Sequence, residues 1–298
     1  MANILISGLV NTETSVRVRQ FPVEYYPIDY PFFGVNTAVS GVAYNLALAL
    51  KTLEDDVSLL SMTGEDFAGT YIREELTSRG ISTGGIRSTL QQTPASVVLY
   101  DETGRRQVYC DLKDIQEAVY DFQEDLLEVT NLVIACNTNF NRPLLALAKE
   151  KGKLIATDVH VLRDIYDAYN RDFLEAADIV FLSDEGIGED YRAFLWELAQ
   201  VYKPEILVLG RGSRGAAMYV RREDRFYELP AVQVGTVVNT VGAGDALFSS
   251  FLHGYLKGFA PEECLKRAQY FAAAKIRCSG ASRGFVTEGE LERLMENG

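Results

Sequence analysis

Val238-Asn239-Thr240-Val241-Gly242-Ala243-Gly244-Asp245-Ala246-Leu247-Phe248-Ser249-Ser250-Phe251-Leu252 reads as a short glycine turn feeding a carboxylate into the first turn of an apolar helix. Gly242 and Gly244 allow backbone conformations that a Cβ forbids, and let the main chain approach a ligand closely. The first N–H groups of a helix have no partner within it and lie at the positive end of its dipole, so they form an anion site. An acid beside such a site suits removal of a proton from a hydroxyl that attacks a phosphate. The plainer alternative for Asp245 is a helix-start carboxylate that only favours the dipole, worth about 0.3–1 kcal/mol.

Outward from this segment the chain alternates between strand and helix, a rhythm that predicts a parallel sheet covered on both faces. Continuous apolar runs at Asn3–Ser7, Val57–Leu60, Leu132–Ala135, Leu154–Thr157, Ile179–Leu182 and Ile206–Leu209 fit strands buried on both sides. Helical patterns lie between or after them at Val42–Leu53, Ala68–Arg79, Pro143–Glu150, Tyr191–Val201, Ala243–Lys257 and Pro261–Cys278. Two stretches break the rhythm. Thr14–Val39 contains the alternating Val16-Arg17-Val18-Arg19 and an aromatic run, and Ser96–Leu112 reads as two strands around the turn Asp101-Glu102-Thr103-Gly104. Together they predict a small antiparallel sheet standing off the main domain.

The 298 residues hold 47% apolar and 24% charged side chains, ample for a globular core. No apolar run reaches the ~20 residues that span a bilayer. Met1-Ala2-Asn3-Ile4-Leu5-Ile6 lacks a basic leader region and reads as a first strand. Cys110, Cys136, Cys264 and Cys278 are far apart without a C-x-x-C pair, so they read as reduced, buried thiols of a cytoplasmic protein. A net charge of −13 argues against nucleic acid as partner, while leaving a phosphorylated small molecule open.

Asn239-Thr240-Val241-Gly242-Ala243-Gly244-Asp245 resembles the second signature, D-T-x-G-A-G-D, of the ribokinase-like (PfkB) carbohydrate kinases. Ser40-Gly41-Val42-Ala43-Tyr44-Asn45 is similar to the first, G-G-x-x-x-N, with Ser40 for the first glycine; Ser40 alternatively is an N-cap. Gly64-Glu65-Asp66-Phe67-Ala68-Gly69 resembles the family's G-x-D-x-x-G turn, which is mostly structural. The resemblance runs over nearly the whole chain. It implies one ribokinase-like α/β domain over residues 1–298, a doubly wound, mostly parallel sheet sandwiched by helices. A small antiparallel β lid is inserted at about 14–39 and 96–112. Such a lid excludes water from the reacting phosphate.

Carried over residue by residue, the resemblance makes Asp245 the catalytic base and Gly242, Ala243 and Gly244 the anion hole. Gly41 and Asn45 fall on acceptor-binding positions. Glu13 stands where relatives usually carry Asp to grip substrate hydroxyls, with Asn11 able to share the task. Gly212 and Gly215 match a turn bordering the nucleotide, and Arg211 and Arg214 read as phosphate ligands or as solvated loop cations. Asn239 takes the place of the signature's first Asp, while Ser279 and Gly280 resemble the segment lining the adenine pocket. Asp158 matches the start of a D-x-N-x-R element whose other positions are His160 and Leu162; a lone histidine there reads more simply as structural. Ser183 and Gly186 replace the Asn and Glu of an N-x-x-E element that organises Mg²⁺, leaving Asp184 and Glu185 as acids for the metal or as a solvated loop.

The implied activity is ATP- and Mg²⁺-dependent phosphorylation of a hydroxymethyl group on a small sugar. The resemblance also implies a monovalent cation nearby, without a clear ligand set in this sequence. A nucleoside acceptor is the alternative, since Phe21, Tyr25, Tyr26, Tyr30, Phe32 and Phe33 could stack on a base; equally they could bury a lid-to-lid homodimer interface. A sugar phosphate acceptor would need cations near the lid, for which Arg17, Arg19, Arg105 and Arg106 are candidates that read as solvent-facing. From another class, the substitutions at Glu13, Ser183, Gly186 and Asn239 suit a ligand-binding regulator that has lost catalysis.

Overall fold

The first strand, β1 (Asn3–Ser7), sorts its side chains by parity: Ile4 and Ile6 enter one apolar cluster and Leu5 enters another. Successive strand side chains point to opposite faces, so a strand apolar at every position must be covered on both. The computed structural model, which describes residues 2–233, 235–278 and 280–297, shows that covering. The later strands are β2 (Asn11–Arg17), β3 (Val35–Ser40), β4 (Asp56–Gly64), β5 (Ile86–Leu90), β6 (Ala95–Tyr100) and β7 (Arg106–Asp111). They continue with β8 (Leu132–Ala135), β9 (Leu154–Val161), β10 (Ile179–Ser183), β11 (Ile206–Gly210), β12 (Ala216–Val220) and β13 (Arg225–Leu229). The helices are α1 (Val42–Thr52), α2 (Phe67–Ser78), α3 (Asp125–Glu128), α4 (Arg142–Glu150), α5 (Arg171–Ala176), α6 (Tyr191–Tyr202), α7 (Ala243–Leu256), α8 (Pro261–Lys275) and α9 (Glu288–Glu296).

The large sheet runs β13-β12-β11-β10-β9-β8-β1-β4-β5, parallel from β11 to β5, with β12 and β13 antiparallel at one edge. Helices α1, α2, α7 and α8 bury one face; α4, α5 and α6 bury the other. Chain order reverses at β1, which lies between β4 and β8. In such sheets ligands bind beyond the carboxyl ends of the strands near the reversal.

All six predicted strands are present, and β5, β12 and β13 add to them. Helix α8 ends at Lys275 rather than continuing to Cys278, because the chain turns there and the Ile276 carbonyl oxygen accepts from Val238 and Asn239. The lid sheet has the order β3-β2-β6-β7. Its outer pairs are antiparallel and its central pair, β2 with β6, is parallel, since both strands leave the main domain in the same direction. Strand β2 begins at Asn11, earlier than the alternation at Val16 suggested. Gly41, not Ser40, is the N-cap of α1; its φ is 104°, and a Cβ there would lie 2.5 Å from the Leu9 carbonyl oxygen. Asp66 caps α2 and accepts from Thr93, a structural role as expected. Of the four cysteines, Cys110 is exposed on the edge strand β7, contrary to the buried reading. Among the described residues no helix is long and apolar enough to cross a membrane.

Helix α7 is held by aromatic contacts. The Phe181 ring of β10 lies 4.7 Å from that of Phe248 and 5.3 Å from that of Phe251, both on α7. Phe248 is fully buried, so Phe248→Ala removes its contact with Phe181 and leaves a void. We expect the variant to lose about 3–5 kcal/mol in urea unfolding; a loss well under that would mean α7 is anchored elsewhere.

Candidate active site

Over the carboxyl ends of β9, β10 and β11 lies a cleft of about 480 Å³. Asp158 and His160 reach it from β9, Ser183 and Glu185 from the end of β10, and Gly210 to Gly212 from the end of β11. Opposite them stand Gly242, Ala243, Gly244 and Asp245 at the start of α7, with Arg106 of the lid at one side.

The approach to α7 is tied down at several points. The Asn239 Oδ1 accepts from the Val241 N–H at 2.7 Å, and the Val238 and Asn239 N–H groups donate to Ile276 O at 2.8 and 3.1 Å. Gly242 caps the helix with φ 80°, and a Cβ on it would lie 2.4 Å from the Ala281 carbonyl oxygen. The Ala243 N–H donates to Thr240 O at 3.2 Å, so this member of the expected anion hole is already engaged by the turn. Gly244 is exposed with open space where a Cβ would stand, and helix geometry leaves its N–H and that of Asp245 without an intrahelical acceptor. The structure thus brings together Gly242, Ala243, Gly244 and Asp245 as expected.

Asp245 accepts from the Asn45 side-chain amide at 2.7 Å, a bond between residues 200 positions apart. Burial pushes its carboxyl above the ordinary value, opposed by the Asn45 hydrogen bond and by the nearby His160 and Lys275, and assisted by Asp158. Lys275, at the end of α8, is fully buried and donates to the Val241 carbonyl oxygen. Burial brings its pKa down to about 8 against the pull of Asp245, Cys278 and Glu13. Lys275 was not singled out in the sequence, where a lysine closing a helix reads as ordinary dipole compensation.

On the lid side, paired residues of β2, β3 and β6 place Asn11, Glu13, Ser40 and Ser96 on one face. Asn11 donates to the Ser96 hydroxyl at 3.1 Å, and Ser40 donates to Glu13 Oε2 at 3.2 Å. Burial raises the Glu13 carboxyl, with Ser40, Lys275 and Arg106 opposing. The side-chain oxygens of Asn11 and Asn45 are buried without a partner among the described residues. A buried polar atom left unpaired is costly, so both are candidates for meeting a ligand hydroxyl.

The nucleotide side is more mixed. Gly212 faces open space; Gly215 is required by packing, its Cβ position lying 2.0 Å from Leu229 O. Arg211 lies 4.0 Å from the centre of the Tyr191 ring and donates to its hydroxyl, and Arg214 pairs with Asp184 at 2.5 Å. Both arginines therefore already have protein partners. Glu185 lines the cleft, whereas Asp184 is turned to Arg214, a difference from the paired acids expected there. Gly186 takes φ 84° against the Arg163 side chain, which explains the glycine without any metal role. Asn239 shapes the turn behind the cleft, Gly280 follows α8 with φ 89°, and Ser279 lies outside the described residues. Arg106, read as solvent-facing, is exposed, and it also donates to the Thr240 hydroxyl at 3.3 Å and lines the cleft. The aromatic stretch stands away from the cleft, with Tyr25, Tyr30, Phe32 and Phe33 exposed.

No cluster of three or more His, Cys, Asp or Glu side chains forms a metal set among the described residues. Mg²⁺ at phosphates usually takes one or two carboxylates and several waters. Asp158 and Glu185, both facing the cleft, fit that smaller demand.

Comparison with known proteins shows the family. The model of the pfkB family carbohydrate kinases matches residues 1–288. An ATP-dependent ribose-1-phosphate kinase of Halopiger xanaduensis is 26% identical over 287 residues, covering 94% of each chain. An acarbose 7(IV)-phosphotransferase of an Actinoplanes species is 26% identical, covering 98% of this chain and 97% of its own. Among solved structures, a microbiome-derived acarbose kinase superposes with a TM-score of 0.88 at 23% identity, over 99% of both chains. Arabidopsis thaliana ribokinase, complexed with ribose and ATP, does so with a TM-score of 0.82 at 18% identity, again over 99% of both.

The raised Asp245 carboxyl has two measurable consequences. A group whose pKa is raised by folding contributes its stability below the unfolded value and loses it as pH rises through the folded one. At neutral pH the buried charge therefore costs stability, and Asp245→Asn should melt at or above the wild-type temperature in calorimetry. The base form is lost as pH falls, so any Asp245-dependent turnover should show an acid limb above 3.8, the ordinary aspartate value. An acid limb at or below that value would contradict the burial argument.

Proposed function

Because the chain belongs to the pfkB family of carbohydrate kinases, and so is an ATP-dependent phosphotransferase, we propose that it phosphorylates a hydroxymethyl group of a small sugar with Asp245 as base. The observation that carries this reading is the Asn45–Asp245 hydrogen bond, which holds a partly buried carboxylate at the N-terminus of α7 beside an open Gly244. Asn45 fixes one carboxylate oxygen and leaves the other for the acceptor. As the acceptor oxygen bonds to the γ-phosphorus, the bond to the bridging oxygen breaks, ADP leaves, and the hydroxyl proton passes to Asp245. The N–H groups of Gly244 and Asp245 meet the charge on the moving phosphoryl group. Mg²⁺, when bound beside Asp158 and Glu185, would neutralise the phosphates. Asn11, Glu13 and Asn45 orient the acceptor, and such positioning carries much of the rate.

A sugar is favoured over a nucleoside because Tyr25, Tyr30, Phe32 and Phe33, the rings that could stack on a base, are exposed. Arg106 supports a second reading, in which the sugar already carries a phosphate that this guanidinium meets. The name of the Halopiger relative is consistent with it. The four cysteines, all free, fit a reducing cytoplasm. On the lid face opposite Asn11 and Glu13, the paired residues Val35, Val97 and Tyr109 are exposed. We read this apolar face as the contact between two lids in a homodimer.

The deciding measurement is ADP release from Mg·ATP across sugars, sugar phosphates and nucleosides. One preferred sugar, with turnover falling by about 10²–10⁴ in Asp245→Asn, is the expected outcome. Ligand-induced thermal stabilisation without turnover for any acceptor would favour a binder. Preference for a sugar phosphate that Arg106→Ala abolishes would establish the second reading. In sedimentation experiments the wild type should run as a dimer and Val97→Asp as a monomer; a monomeric wild type would remove the lid contact.

A further inference from the structure

Lys275 is the one buried cation that touches the segment carrying the catalytic residues, among those described, and the phosphoryl-transfer chemistry above gives it no task. Its ammonium sits on the carbonyl oxygen of Val241, directly before Gly242, and it is fully buried. The carboxylates of Asp245 and Glu13 and the thiol of Cys278 are near enough to favour its charged form. The acceptor that the ammonium meets is a main-chain carbonyl, Val241 O on the loop, with those carboxylates beside it. Main-chain carbonyls flanked by carboxylates are the ligand chemistry of a monovalent cation. Here a side-chain ammonium occupies that setting.

We propose that Lys275 is a positioning residue that serves as a built-in monovalent cation: its ammonium locks the Val238–Gly242 loop to α8 and fixes the start of α7, so that phosphoryl transfer needs no potassium or other soluble monovalent ion. The proposal rests on the kinase reading for its effect on turnover, but not for its effect on stability. Two further contacts make the lock specific. The Val238 and Asn239 N–H groups bond the Ile276 carbonyl one residue beyond Lys275, and Gly242 is seated against Ala281. The loop is thus bound to the end of α8 through backbone bonds, and the ammonium supplies the positive charge between them. Burial lowers the lysine pKa only to about 8, so the group carries charge at neutral pH.

The test compares wild type, Lys275→Ala and Lys275→Met in tetramethylammonium chloride and in potassium chloride at equal ionic strength. Melting temperature and turnover are both read. The expected result is a wild type indifferent to potassium in both readouts. Lys275→Ala, which leaves room for an ion, should lose about 100-fold in kcat with a smaller change in KM, as for loss of one transition-state donor. Potassium should restore its turnover and raise its melting temperature. Lys275→Met, which fills the space without charge, should be equally impaired and unresponsive. A wild type activated by potassium overturns the proposal, as does a folded Lys275→Ala that keeps full activity or that potassium does not rescue. Absence of turnover in wild type with every acceptor would instead defeat the kinase reading. The melting-temperature comparison would still decide the role of Lys275.

Discussion

A partly buried carboxylate at the start of a helix is the constraint around which the cleft is arranged. Asp245 is out of contact with most solvent, next to Asp158, and accepts its hydrogen bond from Asn45 on a helix formed 200 positions earlier. A lone charge in such a place would be neutralised or expelled. It persists because the helix dipole, the Asn45 amide, His160 and the Lys275 ammonium all favour the ionised form, although burial still outweighs them. The balance leaves the carboxylate more basic than a free aspartate, which suits the proposed role of base.

The same balance explains why the surrounding backbone is so closely tied. A helix start that serves as an anion site must leave N–H groups unpaired, which removes stabilisation from that turn. The molecule offsets this by bonding Val238, Asn239 and Val241 to neighbours and by seating Gly242 where a side chain would strike Ala281. Behind the turn, the Phe181, Phe248 and Phe251 rings fix the helix to the sheet. Rigidity at the loop and openness at Gly244 are therefore two halves of one arrangement.

The lid shows how strand periodicity divides labour. Asn11, Glu13 and Ser96 share one face, the proposed acceptor side, and Arg106 of β7 reaches the cleft from the same face. On the other, Val35, Val97 and Tyr109 are bare. A one-residue shift in register would exchange the two sets and place valines against the substrate. The central parallel pair of β2 and β6 sets that register, although the two strands are far apart in sequence.

Much of this was legible in the chain. The apolar runs placed the six inner strands because a strand buried on both faces must be apolar at every position, and Gly242 marked the helix start because its left-handed backbone favours glycine. The edge hairpin β12–β13 and the short β5 were less visible, since edge strands need not be apolar throughout. What tertiary structure alone decided was the charge environment: that Asn45 meets Asp245, that Arg214 is spent on Asp184, that Arg106 turns into the cleft, and that Lys275 is buried against Val241. Local sequence governs which backbone conformations and periodicities a segment adopts. Which charges neutralise one another depends on distances across the fold, and those exist only after the segments have packed.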